Sequence, residues 1–384
     1  MDSDDVVHGE ALDRRAFVGR AAAGAAALAT GATAACAGPG EDGPAVQTTR
    51  NVVWRLASSF PRSLDALYGS SERLAEKLEA LTEGRFRIRP YAAGELVPAL
   101  QVLDAAQQGT VQVGHSAGYY YTGKSEALAF DTCVPFGLTS RQQSAWLYQG
   151  GGIDLMREVY ADFGVINFPA GNTGTQMGGW FKREIRSVAD LRGLKMRIPG
   201  MGGAVMNHLG VTVQVLGGSE IYPALERGAI DATEWVGPYD DERLGFQNAA
   251  PFYYYPGWWE PGPSMSFMVN RQAWDQLPAA YREAFEVAAV YAMNGTQTIY
   301  DAKNPQALAR LVAGGTQLRR YPDDVMAAAE RATRELLEQN AAADATYRRI
   351  YDAFREFRSD SYQWFETAEQ EFARFAYRRG NGAG

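Results

Sequence analysis

From Val52 onward the hydrophobic positions of the chain switch between two periods. Val52, Trp54 and Leu56 take every second position, the period of a half-buried strand. Leu64, Leu67, Leu74, Leu78 and Leu81 then keep helical spacing and stop at Gly84, which predicts a helix. Phe86 to Ile88 predicts a second strand ended by Pro90, Val97 to Gln108 a helix ended by Gly109, and Val111 to Val113 a third strand. The same order recurs further on. Leu194 to Ile198 predicts a strand ended by Pro199, Met201 to Leu209 a helix ended by Gly210, and Val211 to Leu216 a strand. Ser219 can N-cap a helix that runs to Arg227 and is ended by Gly228, before a strand from Ile230 to Val236. Even the helix-to-strand junctions match, Gln108-Gly109-Thr110-Val111 beside Arg227-Gly228-Ala229-Ile230.

A βαβαβ order implies a parallel sheet with right-handed crossovers. Two such units predict an α/β protein of two similar lobes, with the cleft between them as the default ligand site. After Pro322 the pattern changes, and from Asp323 to Arg379 there is neither Gly nor Pro. There Tyr347, Ile350, Phe354, Phe357, Trp364, Phe372 and Phe375 fall on helical spacings and form an aromatic stripe, which Tyr351 and Phe365 widen. Such a helix either packs on its own lobe or overhangs it and offers a partner surface, as in a homodimer.

The first residues follow a different logic. Arg14-Arg15 precedes an uncharged stretch from Ala21 to Ala35 that is too short and too weakly apolar to span a bilayer. That pairing resembles a bacterial twin-arginine export signal over residues 1–35. Thr33-Ala34-Ala35 before Cys36 leaves two processing routes open, lipidation of Cys36 or plain cleavage beside it. Residues 36–49 are Gly, Pro and polar residues and read as a linker. An exported, periplasmic body from residue 50 onward is expected.

Composition narrows the chemistry. Lys+Arg is 37 against 45 Asp+Glu, for a net charge of −8 with no basic run, which disfavours nucleic acid as a partner. Two cysteines exclude a disulfide framework and a multi-Cys metal site, and the three histidines form no metal-site spacing. What remains is oxygen and guanidinium chemistry at strand ends. Arg197 lies near the carboxyl end of its strand, where open α/β sheets place ligands. A guanidinium there either grips a carboxylate in two parallel hydrogen bonds or pairs with a surface acid. Glu234 and Trp235 end the last strand of the second unit at the same edge, with Asp231 on the other face. Glu234 can serve as a base, a metal ligand or a counter-ion. The polar, glycine-rich stretch from Gly171 to Trp180 has no phosphate-loop ending and reads as an ordinary loop or a crossover lining the cleft, where Gln176 offers a neutral oxygen. Tyr119-Tyr120-Tyr121 and the run from Phe252 to Pro261 are aromatic clusters that either wall a ligand or pack under loops. Glu260 is the charge among them.

Taken together, Gly193-Leu194-Lys195-Met196-Arg197-Ile198-Pro199-Gly200, Gly210-Val211, Leu225-Glu226-Arg227-Gly228-Ala229-Ile230-Asp231-Ala232 and Glu234-Trp235 resemble the central signature of the periplasmic solute-binding subunits of TRAP transporters. The resemblance covers about residues 50 to 370 and implies a two-lobed periplasmic binding protein fold with an interlobe cleft and long C-terminal helices. Residues Gly171 to Trp180 and Glu234-Trp235 are similar to the branch that binds 2-oxo and 2-hydroxy monocarboxylates with a metal cation, Na⁺ or Ca²⁺. In that branch, Arg197 would grip the substrate carboxylate and Tyr121 would contact the substrate. Gln176, Glu234 and the carbonyl of Trp235 would hold the cation. Glu260 departs from the glutamine usual at its position, and would either add negative charge near the metal and favour a divalent ion or disfavour an anionic ligand. The branch also implies a homodimer through C-terminal helices, and membrane subunits as partners.

On this reading lobe I comprises residues 50–172 and 263–302, lobe II residues 173–262 and 303–343, and the dimerisation segment residues 344–379. The chain is expected to bind rather than to catalyse. Two rivals are a metal-dependent lyase or hydrolase with Glu234 as base, and a sensing module whose C-terminal helices are the working surface.

Overall fold

The computed structural model describes residues 50–380. The expected export segment, the linker and Cys36 lie outside the described residues. β1 (Val52–Ser58), α1 (Tyr68–Leu81), β2 (Phe86–Tyr91), α2 (Val102–Gln107) and β3 (Val113–Ser116) form the first βαβαβ unit. Helices α3 (Ala129–Thr132), α4 (Ser140–Gln149) and α5 (Gly152–Ala161) lead to β4 (Val165–Asn172). The chain then crosses to β5 (Trp180–Phe181) and runs through β6 (Lys195–Arg197), α6 (Gly200–His208), β7 (Thr212–Gln214), α7 (Gly218–Glu226) and β8 (Ala232–Thr233), the second unit. After α8 (Pro238–Leu244) and β9 (Phe252–Tyr255) it crosses back to β10 (Ser264–Asn270), α9 (Arg271–Asp275) and α10 (Ala279–Ala313). It closes with β11 (Gln317–Arg320), α11 (Asp323–Ala343), α12 (Ala345–Phe365) and α13 (Glu371–Gly380).

The two units build two sheets of matching order. One runs β2-β1-β3-β10-β4 and the other β11-β9-β5-β8-β6-β7. In each, three strands are parallel as predicted, but the sheets are mixed rather than all-parallel. β10 pairs antiparallel with β3 and β4, and β5 pairs antiparallel with β8 and β9. Both inserted strands arrive directly from the other sheet, without a crossover helix to reverse their direction. The two crossings, residues 173–179 and 256–263, therefore run between the sheets.

Several boundaries move for local reasons. β2 continues through Pro90, paired with Leu56, because β2 is an edge strand and the missing N–H faces away from the sheet. α7 is capped at Gly217 rather than Ser219, with the Glu220 carboxylate accepting the Gly217 N–H at 2.9 Å. Gly218 lets the helix start there, because a Cβ at that position would lie 2.7 Å from the Trp235 ring. The last strand of the unit is only Ala232–Thr233, since the chain leaves the sheet at Glu234. The lobe boundary expected at 302/303 falls inside α10, which runs unbroken for 35 residues past Pro305. α10 packs on α1 and β4 in its first half and reaches α8 with its second, where Tyr300 donates to Asp240 at 2.7 Å and Asn304 accepts the Tyr239 N–H at 3.0 Å.

The Gly- and Pro-free tail is not one helix. Asp344 is extended, and its carboxylate caps α12 by accepting the N–H groups of Thr346 (2.7 Å) and Tyr347 (3.0 Å). The aromatic stripe divides along α12. Tyr347, Ile350 and Phe354 are buried in the first lobe, where Phe354 packs on Phe130 and Trp146 with ring centroids 5.4 and 5.3 Å away. From Trp364, just before the π-helical turn Glu366–Gln370, onward the stripe is exposed, with Trp364 63% and Phe372 71% exposed. The first half of the stripe thus packs on its own lobe, and the far half is exposed. Among the described residues no helix is long and apolar enough to cross a membrane.

Candidate functional site

Arg197 ends β6. Leu194, Met196 and Ile198 turn into the second lobe's core, leaving Arg197 on the other face, yet it is only 1% exposed. β8 lies beside β6 with Thr233 opposite Arg197, so the next residue, Glu234, emerges next to the guanidinium. Its backbone N–H donates to the Arg197 carbonyl at 3.2 Å, and its carboxylate, itself fully buried, pairs with Arg197 Nη1. Nη1 also donates to the Glu234 carbonyl at 3.3 Å, and Nε to the Leu216 carbonyl at 3.1 Å. The Trp235 ring lies 5.1 Å below the guanidinium. Burial works against the Arg197 charge, but Glu234 and the nearby tyrosines outweigh it and raise its pKa. Burial raises the pKa of Glu234 too, with Arg197 opposing. Asp231, by contrast, accepts the Lys195 N–H at 3.0 Å and serves the strand.

The two crossings supply the next wall. The Gln176 N–H donates to the Glu260 carbonyl at 3.1 Å, and the Gly257 N–H to the Gln176 carbonyl at 3.0 Å. A Cβ on Gly257 would lie 2.6 Å from that carbonyl, so only glycine permits the approach. Gln176 donates from Nε2 to Thr173 at 3.2 Å. Glu260 is 3% exposed and accepts from the Tyr119 hydroxyl at 3.4 Å. Its pKa is raised by burial and then by the Glu234 charge, with Arg197 opposing. The first lobe closes the site through the turn Gly118–Tyr121, whose Tyr119 lies against Gly200 at the start of α6. Gly200 has φ +59°, and a Cβ there would be 2.8 Å from the Tyr119 Cβ. Farther along the cleft, Asp65 of the first lobe accepts from Tyr239 at 2.9 Å and pairs with Arg243, both on α8.

Of the residues expected here, Arg197, Glu234, Trp235, Gln176 and Glu260 come together. Tyr121 does not join them. Its hydroxyl accepts the Leu103 N–H at 3.2 Å and bonds to Ser116 at 3.0 Å, inside the first lobe's core. Tyr119 and Tyr120 face the cluster instead, Tyr120 with its pKa pushed up to about 12 by burial, against the pull of Arg197. Three consecutive tyrosines in one turn point in different directions, and only the structure of the turn sorts them. The other aromatics from Phe252 to Trp259 are mostly core, as Trp258 stacked on Phe136 at 5.2 Å shows. Cys133 is buried and free, its thiol pKa driven up by burial. Among the described residues no histidine serves the cleft as an acid–base group. His115 is buried between Ser58 and Ser71, its pKa pushed down to about 3 by burial, and His208 lies at the surface near Glu335.

Among the buried polar atoms of this cluster that lack a hydrogen-bond partner are Arg197 Nη2, Glu234 Oε2 and Gln176 Oε1. One is a cationic donor and two are oxygen acceptors. Buried groups of this kind are nearly always satisfied, so they mark where a ligand belongs. Two carboxylates and an amide oxygen suit a hard cation such as Na⁺ or Ca²⁺. Among the described residues no group of three or more His, Cys, Asp and Glu is placed to hold a metal alone, so an amide, a carbonyl or the ligand must complete the shell.

A family model for bacterial extracellular solute-binding proteins, family 7, matches residues 57–344. The chain belongs to this family. Membership implies a binding role and an extracytoplasmic location. The monocarboxylate 2-oxoacid-binding periplasmic protein of Nostoc sp. is 54% identical to this family 7 chain over 352 residues, covering 91% of the chain and 96% of the relative. A TRAP transporter solute-binding protein from Bordetella bronchiseptica is 44% identical with a TM-score of 0.86, covering 87% of this chain and all of that one. It is a dimer with co-purified calcium and picolinate in one active site and the other apo. A TRAP periplasmic solute-binding protein from Pseudoalteromonas atlantica, with sodium and pyruvate bound, is 39% identical with a TM-score of 0.83, covering 85% of this chain and 99% of that one. The family 7 fold thus matches the two-lobed architecture built by the paired βαβαβ units.

Nothing in the sequence pattern marks the pair Asp240-Asp241, which the structure places in the first turn of α8. Asp241 accepts from Trp180 (2.9 Å) and Tyr253 (2.7 Å), and Asp240 from Tyr300. Burial first, with lesser help from the Asp241 charge, pushes the Asp240 pKa up to about 7. An acid whose pKa is higher folded than unfolded stabilises the fold when protonated, and this contribution is lost as pH rises through about 4 to 7. Asp240→Asn should therefore flatten the fall of the melting temperature over that range. A slope equal to wild type in differential scanning calorimetry would show that Asp240 does not titrate there.

Proposed function

We propose that this chain is the extracytoplasmic receptor of a TRAP transporter, capturing a small 2-oxo or 2-hydroxy monocarboxylate, such as pyruvate or lactate, together with a cation. The observation that carries the reading is the meeting of Arg197 Nη2, Glu234 Oε2 and Gln176 Oε1, all buried and unpartnered, between two closed lobes. A 2-oxo acid offers a carboxylate for the guanidinium and, with its adjacent carbonyl, a five-membered chelate for a cation. The bound cation supplies positive charge that offsets the desolvation of Glu234 and of the ligand. Arg197 grips the carboxylate, and Gln176, Glu234, the Trp235 carbonyl and Glu260 hold the ion. Tyr119 and Tyr120 close the site from the first lobe. Ligand binding then favours the closed form that the membrane subunits recognise.

One guanidinium serves one ligand carboxylate. With calcium and sodium both present, pyruvate and lactate should bind, and succinate should bind at least about tenfold more weakly, because its second carboxylate would be buried without a partner. Calorimetry in which succinate matches pyruvate would overturn the monocarboxylate assignment.

The exposed half of the aromatic stripe supports a homodimer built through α12 and α13. Arg14-Arg15 and the uncharged stretch to Ala35 support twin-arginine export, and Cys36 supports a lipid anchor after cleavage.

A further inference from the structure

We infer that Glu260 makes the ion site selective for a divalent cation over sodium. The inference rests on the reading of the cleft as a joint site for a carboxylate and a cation. Glu234 and Glu260 are both at most 3% exposed, and both lie within the electrostatic reach of one guanidinium, that of Arg197. Glu234 is paired to Arg197 directly, whereas Glu260 takes side-chain hydrogen bonds from the Tyr119 hydroxyl and the neutral amide of Gln176. With a cation held by both carboxylates, and both ionised on it, the protein side counts two negative charges against one positive. A bound monocarboxylate adds a third negative charge. A sodium ion leaves this closed, buried group with one net negative charge, and a calcium ion brings it to zero. Burying an uncompensated charge is expensive, so the divalent ion wins in this chain. A glutamine at position 260 would remove one charge, and sodium would then balance the count. Oxygen-only ligands and a chelating substrate match calcium's preference for several oxygens in adaptable geometry. Relatives of the same fold hold calcium in one case and sodium in another, so the fold alone does not choose the ion.

The test uses the full-length protein, stripped with chelator and dialysed against trace calcium in a large excess of sodium, with and without pyruvate. Bound metal is read by elemental mass spectrometry and pyruvate affinity by calorimetry. Wild type should retain one calcium per chain when pyruvate is present. Glu260→Gln should lose calcium preference by about tenfold or more and bind pyruvate with sodium alone. Glu260→Asp, which keeps the charge, should retain the preference and guards against a misfolded glutamine variant. Wild type that binds pyruvate equally well with sodium alone, or a glutamine variant with unchanged calcium retention, would overturn the inference and leave the site reading standing. Wild type that binds pyruvate with neither ion would overturn both.

Discussion

Replacing Arg197 with lysine should weaken pyruvate binding by about a hundredfold or more in the presence of calcium, on the order of 2–4 kcal/mol. The geometry explains why a cation of equal charge does not suffice. Arg197 spends Nε on the Leu216 carbonyl and Nη1 on Glu234, and still has Nη2 for a ligand. An ammonium has three donors radiating from one point and cannot hold a backbone carbonyl, a carboxylate and a ligand oxygen at the separations a planar fork spans. The ligand carboxylate would be buried with a poorer partner, and Glu234 would lose part of its own. Calorimetry on the folded variant, with its melting temperature checked in parallel, reads the effect. A lysine variant within about threefold of wild type would place the anchor elsewhere.

The second large effect concerns the tail. Phe354→Ala should destabilise the protein by about 3–5 kcal/mol, because its ring fills a buried site between Phe130, Trp146 and the turn at Gly137. Cutting the chain after Asp344 would remove Tyr347 and Ile350 as well, and the first lobe should then fail to fold. The far half of the tail should behave in the opposite way. Trp364→Glu together with Phe372→Glu touches no core and should leave the unfolding free energy of the monomer within about 0.5 kcal/mol of wild type. It should convert a dimer into a monomer in light scattering. Urea unfolding that shows Phe354→Ala as mild as the surface pair would contradict the packing of α12 on the first lobe.

That division shows how far a sequence can be read. The stripe from Tyr347 to Phe375 is uniform in composition, and helical periodicity reports only that one face is apolar. What covers each part of that face depends on the bend at Asp344 and on where the first lobe ends, and both are tertiary facts. The paired βαβαβ units were legible because each relies on local signals, alternating strands and helices stopped by glycine. The insertion of β5 and β10 was not, because short strands arriving from another sheet carry no local mark. α10 hid behind Gly295 and Pro305, which usually break a helix and here are absorbed within one of 35 residues. Arg197 and Glu234 could be placed together because both end strands predicted to be parallel. Tyr121, which the resemblance implies for the substrate, instead bonds inside the first lobe's core, because consecutive residues of one turn point in different directions. Glu260 stood out as a charge among aromatics, but its closeness to Glu234 required the two crossings to be folded against each other.

The most direct measurement is a calorimetric titration of pyruvate into full-length protein thoroughly stripped of cations, repeated after calcium is restored. If Arg197, Glu234, Gln176 and Glu260 form one site for ligand and ion together, pyruvate should give no high-affinity heat in the stripped protein and a saturable, one-to-one isotherm once calcium is present. Pyruvate binding with the same affinity in both samples would contradict the account.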